Sequence, residues 1–200
     1  MPTQTFFNLP KDKRIRILKS AKKEFSRVPL KKAIIANIAK DADIPRGSFY
    51  QYFTSVEDLY VYLVEYLYGI NKKKFEVFLE ENNNNIYDAL KQRFSNEIDK
   101  LCKEENRQFR KNTISLLLDD NKLYSQSLIN HVMDKNTQLD MDYFPDDVKN
   151  QKDFDKFIEL VKGLNDFCVK KFLSNESNDA QIKEYYNNYI DFLKYNISLI

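Results

Sequence analysis

Three features of the sequence predict an all-α chain. Apolar side chains recur at three- and four-residue spacing through almost every long segment, the pattern of helices that bury one face. Only 3 glycines and 5 prolines occur in 200 residues, and no run alternates apolar and polar β-branched residues, so hairpins are not favoured. We therefore expect a three-helix N-terminal module, residues 1–54, and a larger helical domain, residues 55–200, that begins with a connector helix.

The N-terminal module is built from three predicted helices. The first spans residues 11–27, where an apolar stripe runs through a lysine-rich sequence. The second spans residues 31–40 and ends at Asp41-Ala42-Asp43, since short polar residues terminate helices and tolerate a left-handed turn. Pro45 suits a first helical turn, so a third helix is expected over residues 45–53. Two helices separated by so short a turn have the spacing of a helix-turn-helix.

The third predicted helix has two chemically different faces. Phe49 and Phe53, four residues apart, share a face that can turn inward. The outer face is predicted to carry Arg46, Gly47, Ser48, Tyr50, Gln51 and Tyr52. Arginine and glutamine bond base edges, hydroxyls donate to phosphates, and a glycine lets another backbone approach closely. This face therefore has the chemistry of nucleic-acid recognition, although an exposed polar helix without a partner would show the same residue types.

Turn and capping residues divide the remainder of the chain. Ser55, followed by Glu57 and Asp58, indicates a helix start, and helical spacing then continues to about residue 81, which makes 55–81 the connector. The four asparagines at 82–85 predict a turn. Further helices are expected over residues 86–103, 109–118, 123–139, 154–173 and 180–200, with a loop at 140–150. The last two are strongly amphipathic and suit either capping the core or pairing with a second copy.

Charge is distributed unevenly along the chain. Residues 1–60 hold 12 Lys/Arg and 6 Asp/Glu, a net +6, whereas residues 61–200 hold 20 and 24, a net −4. A basic N-terminal module fits a phosphate-rich partner. No uncharged apolar stretch is long enough to span a membrane and the N-terminus lacks a secretion signal, so a cytoplasmic protein is expected. Cys102 and Cys168 lie on predicted apolar faces and are interpreted as core thiols.

The stretch IAKDADIPRGSFYQYFTSVEDL, residues 38–59, resembles the tetracycline-repressor (TetR) family of bacterial transcription regulators. That family usually shows a pattern close to IA..AGVS.GTFY.YF..KE.L at this place. The matching residues are Ile38, Ala39, Ala42, Gly47, Phe49, Tyr50, Tyr52, Phe53, Glu57 and Leu59, with conservative changes at Ile44 and Ser48. Asp43, Pro45 and Val56 depart from it, replacing the turn glycine, a serine and a phosphate-contacting lysine.

The resemblance implies a one-component transcriptional regulator, more often a repressor, that binds palindromic double-stranded operator DNA as a homodimer. At the start of its second helix the family has two threonines; here Ala33-Ile34 stand there, preceded by two lysines that can reach a phosphate instead. The predicted DNA-binding residues are Lys31, Lys32, Pro45, Arg46, Gly47, Ser48, Tyr50, Gln51 and Tyr52. The resemblance also implies dimerisation through the last two helices, which form a four-helix interface with their copies.

In this family the C-terminal domain encloses a pocket whose small-molecule effector loosens DNA binding. The candidates for a pocket that takes a small apolar or aromatic effector are Phe109, Leu116, Leu117, Tyr124, His131 and Phe167. Aromatic stripes at helical spacing also form ordinary core, so this set has a plain structural explanation. His131 suits haem ligation, ligand orientation or a local hydrogen bond. No cofactor is predicted.

Catalysis has little support in the sequence. It holds one histidine and no nucleophilic triad, glycine-rich phosphate loop or metal-binding motif, so no catalytic or metal residue is predicted and the chain is not expected to be an enzyme. One alternative is a dimeric all-α carrier of a haem-like or lipid-like small molecule with a degenerate helix-turn-helix, suggested by Val56 and the missing threonines. A second is a protein adaptor or membrane-surface protein that uses the basic first helix.

Overall fold

The computed structural model describes residues 1–118 and 151–196, and the regular elements of these two stretches are all helical. The helices are α1 (Gln4–Phe7), α2 (Lys11–Arg27), α3 (Ile35–Asp41), α4 (Arg46–Tyr52), α5 (Val56–Glu81), α6 (Ile86–Leu101), α7 (Glu104–Leu118), α8 (Gln151–Leu173) and α9 (Asp179–Asn196). One 3₁₀ turn, Leu30–Lys32, precedes α3. The predicted all-α class is confirmed. The helix expected at 123–139 and the loop at 140–150 lie outside the described residues.

Most predicted helices form, and their ends differ for local reasons. α7 begins at Glu104 rather than at 109, because Glu104 and Glu105 place two carboxylates in its first turn, where the helix dipole favours negative charge. α6 ends at Leu101, two residues before the predicted end, and α8 begins three residues before its predicted start. The asparagine turn is confirmed: Asn83 and Asn84 have left-handed φ angles of 53° and 61°.

Capping groups explain where two long helices begin. The hydroxyl of Ser55 accepts a hydrogen bond from the Asp58 N–H at 3.2 Å, at the predicted start of α5. The side chain of Asn85 accepts from the N–H groups of Tyr87 and Asp88, so this last asparagine of the run caps α6. α5 has 26 residues, about 39 Å at 1.5 Å per residue, which suits the predicted connector.

The first of two compact units contains Met1–Ile70 and, among the described residues, α7. Its fully buried side chains include Phe6, Ile17, Ala21, Phe25, Ile38, Phe49, Phe53, Leu59 and Leu63. α2 packs against both α3 and α7. The Tyr60 hydroxyl donates to Oγ1 of Thr113 at 2.8 Å, and the Asn112 amide donates to the Phe25 carbonyl at 2.8 Å. These bonds hold α7 on the core of the helix-turn-helix.

The second compact unit contains α5 from Asn71 onward, α6, α8 and α9. α9 packs against both α6 and α8. The rings of Phe94 and Tyr186 stack with centroids 3.9 Å apart, and Tyr87 meets Phe157 edge-on at 5.9 Å. The domain boundary predicted between residues 54 and 55 does not coincide with this division, because the first turns of α5 and all of α7 pack with the N-terminal helices.

The sequence pattern does not predict α1. This short helix nevertheless places a fully buried aromatic ring in the first unit. The Phe6 ring lies 4.8 Å from the Phe53 ring and 5.4 Å from the Tyr62 ring, centroid to centroid. The Thr3 N–H donates to the Tyr52 carbonyl at 3.0 Å, and the Thr3 hydroxyl donates to the Gln51 carbonyl at 2.6 Å. Thr3, the residue that precedes α1, therefore satisfies carbonyls at the C-terminal end of α4.

Candidate nucleic-acid interface

The turn between α3 and α4 is a left-handed helix termination. Asp43 has a φ of 52°, as predicted for an aspartate in place of glycine. The Ile44 N–H donates to the Ala39 carbonyl at 3.0 Å, and the Asp43 N–H donates to the Lys40 carbonyl at 3.3 Å. These two bonds make a Schellman motif, and the buried Ile44 side chain closes it on the core. The turn therefore forms without its glycine and directs the chain into α4.

α4 presents a narrow polar face. Its first turn follows Pro45, which has a φ of −58° and directly precedes Arg46, the first residue of the helix. Arg46, Gly47, Tyr50 and Gln51 are exposed, and Ser48 is half-buried. Phe49 and Phe53 are fully buried, as predicted. Arg46 and Tyr50, four residues apart, lie on one side of α4, and Gln51 lies at the edge of that side.

The predicted outward orientation of Tyr52 is wrong. Only 5% of Tyr52 is exposed, and its ring lies 6.4 Å from the Phe6 ring. Tyr52 follows Phe49 by three residues, which places both on one face of the helix. The aromatic core thus takes Tyr52, and α1 covers it.

Lys31 and Lys32 lie in the 3₁₀ turn and not in the helix predicted over residues 31–40. Val28 and Pro29 are extended, the Lys32 N–H donates to the Pro29 carbonyl at 2.8 Å, and α3 starts only at Ile35. Both lysines are exposed, so the turn presents two ammonium groups beside the start of α3.

A buried carboxylate, which the sequence analysis did not single out, fixes this start. Glu24 on α2 is 5% exposed. Its Oε1 accepts from the Ile34 N–H at 2.9 Å and from Nη2 of Arg27 at 2.7 Å, and Oε2 accepts from Nε of Arg27 at 2.9 Å. The Arg27 guanidinium lowers the pKa of the Glu24 carboxyl below its ordinary value, against the effect of burial. Its only sequence signal was a charged residue beside Phe25 on the apolar stripe of α2.

Positions that depart from the family pattern are accommodated by packing. Val56 is partly buried against the core of the first unit. Ala33 packs against the same core, whereas Ile34 is 51% exposed. Apolar side chains therefore stand where the family has the threonine pair and the lysine, and they cannot make the polar contacts of those residues.

The described residues among those predicted to line a pocket are divided between the two compact units. Phe109 and Leu116 pack against the core of the first unit. Phe167 is 48% exposed, with its ring 5.9 Å from the Tyr185 ring, which corrects its predicted place inside a pocket. The side chain of Leu117, and Tyr124 and His131 altogether, lie outside the described residues.

The two cysteines differ in their surroundings. Cys168 is buried, as predicted, and burial raises the pKa of its thiol to about 11. Cys102 is exposed, which contradicts its predicted place in the core. The reason is that α6 ends at Leu101, so Cys102 stands at the helix end and leaves the buried stripe of Leu90, Phe94 and Ile98.

Comparison with known proteins agrees with this geometry. Residues 17–63 match the model of a family described as bacterial regulatory proteins, tetR family, and this stretch runs from α2 through α4 into α5. No curated protein is significantly similar to the chain.

Three solved structures share the fold. A protein assigned to the TetR family of transcriptional regulators from Rhodococcus sp. is 15% identical with a TM-score of 0.64, over 92% of this chain and 98% of that one. One from Mesorhizobium loti is 16% identical with a TM-score of 0.63, over 92% and 96%. A TetR transcriptional regulator from Rhodococcus sp. RHA1 is 15% identical with a TM-score of 0.57, over 92% and 95%.

The fold and the exposed face of α4 define a helix-turn-helix DNA-binding regulator. Residues 17–63 belong to the N-terminal domain of the TetR family, and the described chain has the fold of TetR-family transcriptional regulators. The resemblance read from residues 38–59 is confirmed. Proteins of this kind are transcriptional regulators and not enzymes, which confirms that prediction too.

Two further observations concern the described residues only. No helix in them combines the length and the apolar character needed to cross a bilayer. No three side chains of His, Cys, Asp and Glu cluster in them as a metal site would require.

Proposed function

We propose that the chain is a homodimeric one-component repressor that binds palindromic operator DNA and releases it when a small-molecule effector binds. The observation that carries the DNA half is the exposed face of α4, in the same compact unit as the basic 3₁₀ turn. Such a regulator acts where bacterial DNA lies, so a cytoplasmic location follows from this proposal.

Each exposed residue has a role that its chemistry allows. Arg46, at the start of α4, reaches a guanine edge or a phosphate, and Gln51 reaches an adenine edge. Tyr50 donates its hydroxyl to a phosphate. Lys31 and Lys32 contact the backbone as point charges, which position the protein without reading sequence. Arg46 and Gln51 therefore carry the sequence preference.

An exposed apolar surface on the second unit supports the dimer. We call it the α8–α9 face, formed by the exposed Leu160, Phe167, Tyr189 and Phe192 and the half-buried Tyr185. The two helices contribute to one surface, since the rings of Phe167 and Tyr185 lie 5.9 Å apart and those of Tyr185 and Tyr189 lie 4.8 Å apart. Contiguous exposed aromatics mark interaction surfaces, and a second copy provides a self-complementary partner. A symmetric dimer would space two α4 helices by about 34–36 Å, one turn of DNA.

Two polar atoms deep in the second unit support an effector site there. Oδ1 of Asn165 and the Tyr186 hydroxyl are buried, and neither has a hydrogen-bond partner among the described residues. Leaving such a group unpaired costs about 1–3 kcal/mol, so a ligand whose polar group reached either atom would be stabilised. An effector that binds only the DNA-free conformation then lowers operator affinity by mass action.

The test of DNA recognition is a fluorescence-anisotropy titration. The protein is mixed with the duplex immediately upstream of its own coding region, and in parallel with a scrambled duplex, at several salt concentrations. Tight binding to the first duplex alone is expected, with log affinity falling by about 0.9 per neutralised phosphate for each unit of log salt. Equal weak binding to both duplexes, repeated with duplexes selected from a random pool, would favour the small-molecule carrier instead.

Arg46→Ala tests α4 as the reader. It should weaken binding to the preferred duplex by about 1–3 kcal/mol and lower the discrimination against the scrambled one. Lys162→Ala is the matched control, because it removes one positive charge from an exposed position on α8. Circular dichroism should show unchanged helicity in both variants. If both variants bind the duplex as tightly as the wild type, α4 is not the reading helix.

A further inference from the structure

Glu24 makes an unusual connection between α2 and the chain that follows it. Its carboxylate accepts hydrogen bonds from Arg27 on its own helix and from the Ile34 N–H at the start of α3. The Asn37 side-chain amide lies 3.2 and 3.3 Å from the two oxygens. One carboxylate thus contacts both ends of the segment from 28 to 34, and Lys31 and Lys32 lie in the middle of that segment.

These bonds supply the N-terminal capping interaction that α3 lacks. The residue that precedes α3 is Ile34, which has no side-chain oxygen to cap the helix. In a capping box, a carboxylate three residues into the helix accepts from the N–H of the capping residue. Here that position is Asn37, whose amide donates to Glu24, while the Glu24 carboxylate accepts from the Ile34 N–H. Glu24 on α2 therefore supplies the carboxylate that a capping box of α3 would need.

We infer that Glu24 is a positioning residue for DNA binding, acting as the capping-box carboxylate of α3 from a neighbouring helix. This inference rests on the proposed function, since it concerns the segment that carries Lys31 and Lys32, which are proposed to contact phosphates. Arg27 orients the carboxylate by a two-bond contact, and the Glu24 side chain itself is buried. Glu24 touches no DNA in this account and acts through the segment that it fixes.

The sign of the effect separates positioning from simple charge. Glu24→Gln removes one negative charge from a basic unit, and electrostatics alone would strengthen binding to DNA. Positioning predicts the opposite, because glutamine keeps only one acceptor oxygen and its NH₂ group opposes donors. The prediction is an operator affinity about fivefold lower, the size of a lost helix cap. Asp12→Asn is the matched control, since it removes a negative charge from an exposed position on α2 and should bind equally or more tightly.

Restoring a capping box within α3 is the second arm. In the Glu24→Gln protein, Ile34→Ser and Asn37→Glu provide the hydroxyl and the carboxylate that α3 lacks. Affinity should return to within about twofold of the wild type. Glu24→Asp keeps the charge but shortens the reach, so it should fold and also bind several-fold more weakly. Hydrogen exchange of the Ile34 amide should be faster in Glu24→Gln and in Glu24→Asp than in the wild type.

The outcomes are distinct. The inference is overturned if Glu24→Gln and Glu24→Asp bind the duplex as tightly as the wild type, or if the restored capping box slows amide exchange without recovering affinity. A wild type that binds no duplex would overturn the proposed function as well, and only that result does so.

Discussion

Gly47 lies on the exposed side of α4, and nothing within the protein requires a glycine there. A Cβ at this position would meet no atom within 4 Å, and the φ angle is negative. The same holds for Gly69 on α5, so space alone does not distinguish the two. Gly47 differs in its neighbours, since it lies beside Arg46 and Tyr50 on the face proposed to read DNA. In the proposed function, its missing side chain serves the approach of DNA rather than the fold.

Gly47→Ala should therefore separate stability from function. The free energy of unfolding is expected to rise by about 0.5 kcal/mol, because alanine is the better helix former. Operator affinity should fall at least about fivefold, because the added methyl group keeps the helix backbone away from the DNA. Chemical denaturation and anisotropy titration measure the two effects. Gly69→Ala should stabilise similarly and leave affinity unchanged; an equally tight Gly47→Ala complex would refute close approach at this position.

Among the elements, the four-residue helix α1 contributes to the packing around α4. Its Phe6 is completely buried, and Thr3, the residue that precedes it, donates hydrogen bonds to carbonyls at the end of α4. The recognition helix has only seven residues and would be marginal without packing at both ends. α1 packs at the C-terminal end of α4, and the Schellman turn at Asp43 fixes the chain that leads into the N-terminal end of α4.

Phe6→Ala is expected to lower the free energy of unfolding of the first unit by about 3 kcal/mol, the usual cost of removing a buried phenylalanine ring. Phe7→Ala is the matched control, since Phe7 is 40% exposed and its loss should cost less than about 1 kcal/mol. Denaturant unfolding followed by circular dichroism measures both. Equal effects of the two substitutions would show that α1 packs less closely than the ring distances indicate.

For the whole molecule, the proposed dimer makes the α8–α9 face its interface. Phe192→Asp places a charge among aromatics and should raise the dimer dissociation constant about thirtyfold or more. Operator affinity should fall with it, because a monomer reaches one half-site only. Sedimentation velocity measures the first effect. Val77→Asp, on an exposed part of α5 outside the face, should leave the dimer intact. A wild-type monomer, or an unaffected Phe192→Asp dimer, would exclude this face as the interface.

Local sequence was sufficient for most of the helices, the charge division and the turns at Asp43 and at the asparagine run. Asp43 and the asparagine run end helices because their short side chains tolerate positive φ, a property of single residues. Phe49 and Phe53 were assigned inward from spacing alone, which is information within one helix. The family resemblance likewise rested on contiguous residues from 38 to 59.

Contacts between distant residues decided the remainder. Tyr52 is buried because α1 covers it, and Phe109 joins the first core because α7 packs on α2 and α5. The Glu24 carboxylate is bonded across ten residues to Ile34, a link that no periodicity encodes. Helical spacing specifies which side chains share a face but not which element covers that face. Burial therefore depends on the assembled core, where apolar area and satisfied hydrogen bonds select the neighbours.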